Sequence, residues 1–560
     1  MANEVEVVVN ILGAPEGETE TLVSGLSIVR QKQSERMTDR LLNKLHKQAE
    51  TELKQMLQVY GYYTVNIRLH LEKTGVDKWQ ADYQLELGQQ VKLDKVVLTL
   101  LGEATDDVVF QKFKHNFPLK HGDGFNHQDY KAAKKTLLRI AAQRGYFDGE
   151  LTTHKVEVDS EESTASIYLN YSSGERYAFS AIQYPVTILT ESLLMRLTPI
   201  KQGEPFLASK VLRLRNNLTN SGYFDAVSVT TLTDERLNGE VPLSITLLAD
   251  AKHHYTASLG FGTDSGLRLG TGWENRYVNQ RGHRLSANAL FSEVSNSLAM
   301  DYRMPFWSET ISDIGFNTEY KQLNTETTDS TSFAIGSYYK TKRWGWDETG
   351  TLKLLNESYQ VSDDINTSLL LIPGISWSKI WADDTIFTKQ GVRVSLSLAG
   401  ASKSVLSNTS FAQAVIRGKY IHSFSENGRF ITRGTLGITQ VSDFSKLPSS
   451  LRFFAGGDTT IRGFDFESLG PLGPDGNVEG GRYLVIGSVE YEQMIVGDWG
   501  AAIFSDFGNA LNSWEDPLEY SVGIGARWRS PIGLIRIDVA AGLSAANNPI
   551  GLHVVIGPDL

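Results

Sequence analysis

The C-terminal part of the sequence alternates apolar and polar side chains with a period of two, from about residue 253 to the last residue. This spacing places successive side chains on opposite faces of a β-strand. The apolar positions recur in separate segments: Leu267, Leu269 and Trp273; Leu298, Met300 and Tyr302; Val392, Val394, Leu396 and Leu398; Val522, Ile524 and Trp528; Ile535, Ile537 and Val539. The pattern predicts a sheet with one apolar face and one polar face.

The residues on the polar face decide between a soluble β-sandwich and a membrane-spanning barrel. Arg, Asp, Glu, Ser and Gly fit a polar lumen, and the apolar rows then face lipid. Aromatic residues at strand ends fit an interfacial girdle: Trp273, Tyr277, Tyr302, Trp307, Trp344, Trp346, Tyr483, Tyr491 and Trp528. Counting the alternating segments predicts about sixteen antiparallel strands, and an even number closes the sheet and pairs its backbone amides. We therefore expect an all-β transmembrane barrel over residues 253–560.

Composition excludes several other classes of protein. No uninterrupted apolar run approaches the roughly 18 to 20 residues of a membrane-spanning helix, and the mean hydropathy is -0.23. A net charge of -11 argues against nucleic acid as a partner. The chain begins Met1-Ala2-Asn3-Glu4, without a basic stretch or apolar signal core. If the protein is exported, we expect an engineered start to have replaced its leader.

Residues 1–252 repeat two short motifs. A glycine followed by two aromatic residues ends three helix-like runs, as Gly61-Tyr62-Tyr63, Gly145-Tyr146-Phe147 and Gly222-Tyr223-Phe224. The second motif is Lys120-His121-Gly122-Asp123-Gly124-Phe125, which recurs as Lys201-Gln202-Gly203-Glu204-Pro205-Phe206. Glycine can adopt the left-handed conformation that ends a helix, and the aromatic pair then packs the turn onto that helix.

These repeats predict three α+β units over residues 1–89, 90–174 and 175–252. Each unit is expected to run strand, helix, helix, strand, strand. In the first unit the pattern predicts a strand at residues 5–11 and a helix at about 35–60. Two strands are expected to follow at residues 64–71 and 80–87.

The longest connection of the predicted barrel, residues 456–480, contains Ile461-Arg462-Gly463-Phe464. If this loop folds into the lumen, Arg462 needs an anionic partner, since an unpaired guanidinium in a partly dehydrated channel is costly. Gly463 would allow close backbone approach, and Phe464 would wedge against the wall. The spacing alone leaves a mobile surface loop with an incidental Arg-Gly as the alternative.

Candidate partners for this arginine lie on the two strands that follow. Period two places Glu490 and Glu492 on the inward face of the next strand, and Asp506 on the inward face of the strand after it. A bidentate pair between Arg462 and Asp506 or Glu490 would hold the loop inside the barrel.

The three repeats, the Ile461-Arg462-Gly463-Phe464 loop and the strand Phe504-Ser505-Asp506-Phe507-Gly508 resemble the BamA/TamA superfamily of outer-membrane assembly and secretion proteins, over essentially the whole chain. The repeats are similar to POTRA domains. The loop is similar to the family's [VI]-R-G-[FY] motif, whose arginine contacts acidic residues on the two following strands. Within the superfamily, three POTRA domains and Leu451-Arg452-Phe453-Phe454-Ala455-Gly456-Gly457 resemble the TamA group most.

The resemblance also implies a weak seam between the first and last barrel strands, which opens to template incoming strands. The candidate seam residues are Gly260, Phe261 and Gly262 in the first strand and Val555, Gly557 and Pro558 in the last. Because Pro558 cannot donate a ladder hydrogen bond, we expect the last strand to pair poorly with the first at its end. Simple fraying of the terminus is the alternative.

The resemblance implies a protein of the bacterial outer membrane with periplasmic POTRA domains, which inserts or secretes client proteins such as autotransporters. The POTRA domains would receive clients, or a TamB-like periplasm-spanning protein, by β-augmentation on exposed strand edges. Outer-membrane lipids are a further expected partner. A passive porin or a two-partner-secretion export pore is the alternative function, and it predicts a wide conducting lumen and little effect of POTRA deletion.

An enzyme is a third class, which the residues disfavour. His553, Ser521 and Asp538 lie on neighbouring strands, but the sequence has neither a Gly-x-Ser-x-Gly elbow nor a His-Glu-x-x-His helix. His253-His254 lacks cysteine or clustered carboxylates nearby, so we interpret it as a hinge at a domain boundary and not as a pair of metal ligands. We expect no catalytic residue, no cofactor and no metal.

Overall fold

The structure is a computed structural model that describes residues 6–31, 38–262, 264, 266–307, 311–325, 327–361, 364–384, 387–474, 476–530, 533–545 and 549–557. It divides into two compact units. One comprises residues 1–185, 198–217 and 227–246, and the other comprises residues 186–197, 218–226 and 247–560. In the described part of the chain, no helix is both long and apolar enough to cross a membrane.

The N-terminal part alternates helices with short strands. The helices are α1 (Thr19–Gly25), α2 (Ser27–Arg30), α3 (Asp39–Val59), α4 (Val108–His115), α5 (His127–Arg144), α6 (Glu191–Leu197) and α7 (Ala208–Asn220). The strands are β1 (Glu6–Leu12), β2 (Asn66–Gly75), β3 (Lys78–Glu86), β4 (Lys92–Leu101), β5 (Glu150–Asp159), β6 (Thr164–Ser172), β7 (Ala178–Phe179), β8 (Phe224–Thr231), β9 (Glu240–Val241) and β10 (Leu243–Ala249).

The first two domains share one sheet topology. Their strand orders are β1-β3-β2 and β4-β6-β5. The central strand of each sheet is parallel to β1 or β4 on one side and antiparallel to β2 or β5 on the other. Helix α3 begins after Thr38, whose hydroxyl accepts a hydrogen bond from the Leu41 amide at 3.2 Å. Its buried side chains recur every three or four residues and pack on the sheet: Leu42, Leu45, Ala49, Leu53 and Leu57. The helix predicted for residues 35–60 is therefore observed from Asp39, and residues 35–37 lie outside the described ranges.

In the third domain the expected three-stranded sheet is divided into two pairs, β7 with β9 and β10 with β8. Pro242 stands between β9 and β10. Proline has no amide hydrogen and interrupts the ladder, so one predicted strand becomes two. The Pro242 carbonyl still accepts a hydrogen bond from the Leu232 amide at 3.0 Å.

The two repeated motifs of the sequence meet at a joint. At the first joint, the Val91 amide donates to the Gly61 carbonyl at 2.9 Å, and the Phe125 amide donates to the Val91 carbonyl at 2.7 Å. The glycine-aromatic turn and the phenylalanine of the second motif are thus joined through the residue that leads into β4. Tyr62 packs on the edge of the first domain's core.

The second joint repeats this arrangement. The Tyr177 amide donates to the Gly145 carbonyl at 2.9 Å, and the Phe206 amide donates to the Tyr177 carbonyl at 2.9 Å. Gly145 caps α5 in the left-handed conformation with φ +87°, and Tyr146 is buried in the second core. The sequence predicted the helix end, while the pairing of the two motifs is found only in the structure.

The third copy of the turn lies in the second compact unit. The Tyr223 hydroxyl donates to the Gly282 carbonyl at 2.5 Å, and the Arg284 guanidinium lies 4.4 Å from the centre of the Tyr223 ring. Gly222 adopts φ +70°, and an added Cβ there would approach Arg284 to 3.1 Å. Gly282 belongs to a turn of the barrel, so this copy contacts the barrel instead of a second motif.

The barrel is one sheet of sixteen antiparallel strands in sequence order. Its strands are β11 (His253–Gly262), β12 (Gly266–Asn275), β13 (Arg284–Ser292), β14 (Ser295–Trp307), β15 (Ile311–Asn324), β16 (Asp329–Arg343), β17 (Trp346–Val361), β18 (Asp364–Ala382), β19 (Gln390–Ala401), β20 (Phe411–Ser423), β21 (Gly428–Val441), β22 (Tyr483–Val496), β23 (Trp499–Leu511), β24 (Glu519–Ser530), β25 (Gly533–Gly542) and β26 (Ile550–Gly557). We call the end at which β11 begins the near end and the opposite end the far end.

The predicted fold class is confirmed, because apolar side chains point outward and polar ones inward along the barrel. On β23, Ile503 is 59% exposed on the outer face, whereas Phe504 and Asp506 are buried within. Outward aromatic pairs gather at the near end, as where the Trp499 and Trp528 rings stack with centroids 5.3 Å apart. His253 and His254 are not a hinge, since both pair within the β11–β12 ladder and Trp273 Nε1 donates to His253 Nδ1 at 3.1 Å.

Candidate functional site

The connection between β21 and β22 folds into the lumen. We call residues 442–482 the lumen loop. It is longer than the predicted 456–480, because residues 442–455 leave the sheet and form two short 3-10 helices, Phe444–Lys446 and Ser449–Leu451. Leu447, between these helices, is fully buried against Leu355 and Leu370, which point inward from β17 and β18.

Arg462 lies at the centre of the lumen loop and is 4% exposed. Its Nε donates to Asp506 Oδ2 at 2.9 Å, and its Nη2 donates to Asp506 Oδ1 at 2.9 Å. The Arg462 backbone amide donates to the same Oδ2 at 3.0 Å. This is a bidentate pair with a third bond from the main chain, so it fixes both the side chain and the loop backbone on β23.

The remaining nitrogen of this guanidinium reaches two more strands. Arg462 Nη1 lies 2.9 Å from Glu490 Oε2 on β22 and 2.9 Å from Asp538 Oδ2 on β25. Its planar face covers the Phe504 ring, 3.3 Å from the ring centre. The structure therefore brings Arg462, Glu490 and Asp506 together, and it adds Asp538, which the sequence analysis had not assigned to this site.

Gly463 and Phe464 fix the loop against the last strands. Gly463 has φ +108°, and an added Cβ would lie 2.8 Å from the Gly542 backbone nitrogen. Phe464 is 6% exposed and packs in a cluster with Ile461, Phe453, Leu484 and Ile486. An added Cβ at Gly542 would meet the Phe464 ring at 2.8 Å, so small residues on both sides permit this approach.

A second guanidinium lies beside the first. Arg527 on β24 is fully buried, and it donates to Glu490 Oε1 at 2.5 Å and to Asp538 Oδ1 at 2.6 Å. It also donates to Glu492. Arg462 and Arg527 thus share two carboxylates, one oxygen each. Period two had placed Arg527 on the inward face, but it gives no information about which side chains meet there.

Glu492 contacts other arginines than Arg462. Its Oε2 accepts from Arg429 Nε at 2.6 Å, and Arg429 Nη1 also donates to the Thr388 carbonyl at 2.8 Å. Arg433 completes the group, with Nη2 3.7 Å from Asp506 Oδ1.

We call the following residues the ion-pair network: Arg429, Arg433, Arg462, Arg527, Glu490, Glu492, Asp506 and Asp538. Four guanidinium groups face four carboxylates, so the formal charges of these eight side chains cancel. The network connects the lumen loop to five consecutive strands, β21 to β25. Such an arrangement fixes the position of the lumen loop against these strands. In the described ranges, no group of three or more His, Asp or Glu side chains could hold a metal ion.

The base of the lumen loop is held on the opposite wall. The Glu357 carboxylate on β17 is fully buried and accepts from the Ser449 hydroxyl at 2.8 Å and from the Ser450 amide at 3.1 Å. Arg452 donates to the Leu447 carbonyl at 2.9 Å and to the Glu479 carbonyl at 3.0 Å. The loop is therefore anchored on two sides of the barrel.

The candidate seam residues lie at the two ends of the sheet. Among the described residues, β11 pairs only with β12 and β26 only with β25, although β11 and β26 approach each other. Gly260 and Gly262 are in the ladder with β12, and Phe261 is half exposed on the outer face. Val555 lines a small cavity on the inside, Gly557 ends β26, and Pro558 lies outside the described residues.

Families of known proteins match both parts of the chain. Residues 278–558 match the Omp85 superfamily domain. Residues 8–87 match the POTRA domain described as TamA domain 1, and residues 181–247 match the surface antigen variable number repeat.

Two curated relatives bear the name outer membrane protein assembly factor BamA. The protein of Nitratidesulfovibrio vulgaris is 24% identical over 481 residues, which are 81% of this chain and 60% of the relative. The protein of Neorickettsia risticii is 22% identical over 536 residues, which are 86% of this chain and 68% of the relative. The chain thus spans about two thirds or less of the length of these relatives.

A solved structure has the same fold. BamA from Haemophilus ducreyi lacking POTRA domains 1–3 superposes with a TM-score of 0.70 at 17% identity. The match covers 83% of this chain and 99% of that chain.

Proposed function

The chain belongs to the Omp85 superfamily of bacterial outer-membrane barrels, and from this premise we propose that it inserts or secretes client proteins, such as autotransporters, through the seam between β11 and β26. The observation that carries the proposal is the missing ladder between these two strands in the described part of the barrel. An unpaired strand edge presents amide and carbonyl groups that can pair with an incoming strand.

The lumen loop supports a lateral route over a route along the barrel axis. It contacts inward-facing residues on opposite walls, at Glu357 on one side and Asp506 on the other. A passive porin or an export pore would require this loop to leave the lumen, which would break the contacts of Arg462 with three carboxylates. Breaking buried pairs of this kind is costly, because each partner is left as an uncompensated buried charge.

Within the superfamily we assign the chain to the TamA type. The match of residues 8–87 to a POTRA domain of TamA supports this assignment, as do the three N-terminal α+β domains. In this assignment the near end of the barrel faces the periplasm, and a TamB-like periplasm-spanning protein is the partner. Outer-membrane lipids are a further partner, and the chain has no catalytic role.

The sheet edges of the N-terminal domains are the proposed docking strands for clients or for the TamB-like partner. β1 and β2 are the edges of the first sheet, and β4 and β5 are the edges of the second. A cavity of about 520 Å³ lies beside β4 and is lined by Val96, Leu98 and Phe117 together with Lys114. A strand added to β4 would place alternate side chains toward this cavity.

The proposal is tested by client assembly in proteoliposomes that contain the purified chain. Arg462→Ala should lower the yield of folded autotransporter barrel several-fold, because the lumen loop loses its contacts with β22, β23 and β25. Arg417→Ala is the matched control, since Arg417 also lines the lumen but lies outside the ion-pair network. Barrel folding is checked for each variant by heat-modifiable electrophoretic mobility. Normal client assembly by a folded Arg462→Ala protein would contradict the proposal.

A further inference from the structure

Among the described residues the two end strands of the barrel share no ladder, but a pair of side chains joins the last strand to the turn that follows the first. His553 on β26 points inward, and its Nδ1 lies 3.4 Å from Asp264 Oδ1. Asp264 lies in the far-end turn between β11 and β12, and both side chains are nearly buried, with 5% and 11% exposure. This side-chain contact therefore crosses the seam, at which the described residues form no backbone ladder.

The same aspartate also holds the lumen loop. Asp264 Oδ2 accepts a hydrogen bond from the Asp458 backbone amide at 2.7 Å. Gly457, the preceding residue, has φ +98°, and an added Cβ would lie 2.5 Å from Asp264 Oδ2. The Asp264 carboxylate thus contacts the last strand through one oxygen and the lumen loop through the other.

The lumen loop rests on the last strands close to this contact. An added Cβ at Gly551 on β26 would lie 3.2 Å from the Gly463 nitrogen and 2.8 Å from His553 Nε2. Glycine at position 551 therefore lets the loop, the last strand and the imidazole approach one another. Asp458 precedes Arg462 by only four residues, so the cross-seam contact and the ion-pair network share one segment of chain.

We propose that Asp264 and His553 are positioning residues that clasp the far end of the seam, and that the Asp458 amide couples this clasp to the lumen loop. The inference rests on the proposed function in one respect, namely that client assembly requires the seam to open. Opening the seam at its far end requires His553 to leave Asp264. Loss of the loop from the lumen would remove the contact of the Asp458 amide that orients Asp264.

Charged side chains lie around the clasp. Asp264 and Asp458 face His553 from the first turn and from the loop, Asp538 lies opposite it in the β25–β26 ladder, and Arg268 on β12 lies near Asp458. Asp538 is already paired with Arg462 and Arg527. Asp264 is the carboxylate that reaches His553 from across the seam.

Spin labels across the seam test this directly, because the sequence contains no cysteine. Phe261→Cys and Ile556→Cys place two labels on the outer face, where both side chains are about half exposed. Pulsed dipolar spectroscopy on the full chain in lipid should give one short distance in the labelled parent and an added longer distance when either clasp residue is replaced. A label pair at Ile503→Cys and Ile524→Cys, which face each other in the β23–β24 ladder, should give the same distance in the parent and in every variant.

Three variants in this background separate the clasp from a general structural effect. Asp264→Asn and His553→Gln should each add the longer distance. His553→Lys supplies a positive charge opposite Asp264 and should keep the short distance alone. A distance distribution that is unchanged from the parent in both Asp264→Asn and His553→Gln would overturn the clasp.

This measurement reads seam width and not client assembly. If the distances change as expected while client assembly is indifferent to seam opening, the clasp stands and the proposed function fails. If client assembly requires seam opening but the distances ignore Asp264 and His553, the proposed function stands and the clasp fails.

Discussion

Arg527 shows at the scale of single residues how the barrel tolerates charge. It is fully buried, yet it donates to three carboxylates, on Glu490, Glu492 and Asp538. Burial of ions costs several kcal/mol for each group, and good geometry only approximately recovers that cost. We therefore interpret the network as a device that fixes the position of the lumen loop, with little net gain in stability.

Removing one member of the network should be far more costly than removing a partly buried arginine outside it. Arg527→Met removes one partner from each of three buried carboxylates and should lower the free energy of unfolding by about 3–5 kcal/mol. Arg529→Met is the matched control, because Arg529 occupies the next inward position on β24 and is only partly buried, with its guanidinium over the Phe387 ring. Urea-induced unfolding in lipid vesicles measures both changes. Equal losses for the two variants would contradict this account of the network.

The sequence predicted the candidate site only in part. Arg462, Glu490 and Asp506 could be grouped because a motif and strand periodicity placed them near one another. Arg527 and Asp538 could not, since period two assigns a face but not a height along the barrel axis. The height depends on the stagger between strands, which is visible only in the paired register of β22 to β25.

At the scale of elements, the glycine-aromatic turns connect successive domains. The sequence indicated helix ends at Gly61 and Gly145. The structure adds that each glycine carbonyl accepts a hydrogen bond from a backbone amide in the linker to the next domain. Phe206 then closes the second joint, with its ring 5.0 Å from that of Phe147 between centroids. Contacts of this kind join residues about thirty to sixty positions apart, so local periodicity could not predict them.

Gly122 and Gly145 share one backbone conformation, so alanine variants of the two distinguish backbone strain from close packing at the second joint. Gly122→Ala and Gly145→Ala both force an alanine into a left-handed conformation, at φ +88° and +87°, which costs about 1–2 kcal/mol. An added Cβ at Gly122 meets nothing within 4 Å, whereas at Gly145 it lies 2.8 Å from Phe206 Cβ and 3.0 Å from the Tyr177 carbonyl oxygen. Gly145→Ala should therefore destabilise the domain more.

Hydrogen exchange on the full chain measures the difference at the joint itself. The Tyr177 and Phe206 amides should exchange faster in Gly145→Ala and at the parent rate in Gly122→Ala. Protection of both amides in Gly145→Ala would show that the joint does not depend on this close approach.

The third sheet and the lumen loop mark the limits of element prediction. The repeat predicted one final strand in the third unit, but Pro242 separates β9 from β10 there. The lumen loop begins at residue 442, earlier than predicted, because Leu447 and its neighbours find an apolar site on the inner wall. Such a site is formed by β17, β18 and β20 together and has no local signature in the sequence.

At the scale of the whole molecule, the barrel is a sheet of sixteen strands whose lumen holds the lumen loop and whose two end strands share no ladder in the described ranges. The strand number and the inward and outward faces followed from periodicity, because lipid outside and water inside impose opposite requirements on alternate residues. Closure did not follow from periodicity. The expected weakness was placed at Pro558, but in the described chain the missing ladder extends along β11 and β26 themselves, before that residue.

The central claim is that the client passes through the seam and not through the lumen. Two crosslinked proteins test these two routes. Phe261→Cys and Ile556→Cys, joined by a bis-methanethiosulfonate reagent through two reducible disulfide bonds, hold the seam shut. In a second protein, Gly470→Cys and Ala510→Cys hold the lumen loop in place, since an added Cβ at Gly470 lies 3.6 Å from Ala510 Cβ, within the roughly 3.5–4.5 Å of a disulfide. Reduced samples of each are the controls.

The yield of assembled client in proteoliposomes is the measurement that tests this claim most directly. We predict that the seam crosslink abolishes client assembly and that the loop crosslink leaves it unchanged, with reduction restoring the seam-crosslinked protein. Full activity with the seam closed, together with loss of activity when the loop is fixed, would contradict the account and identify the lumen as the path.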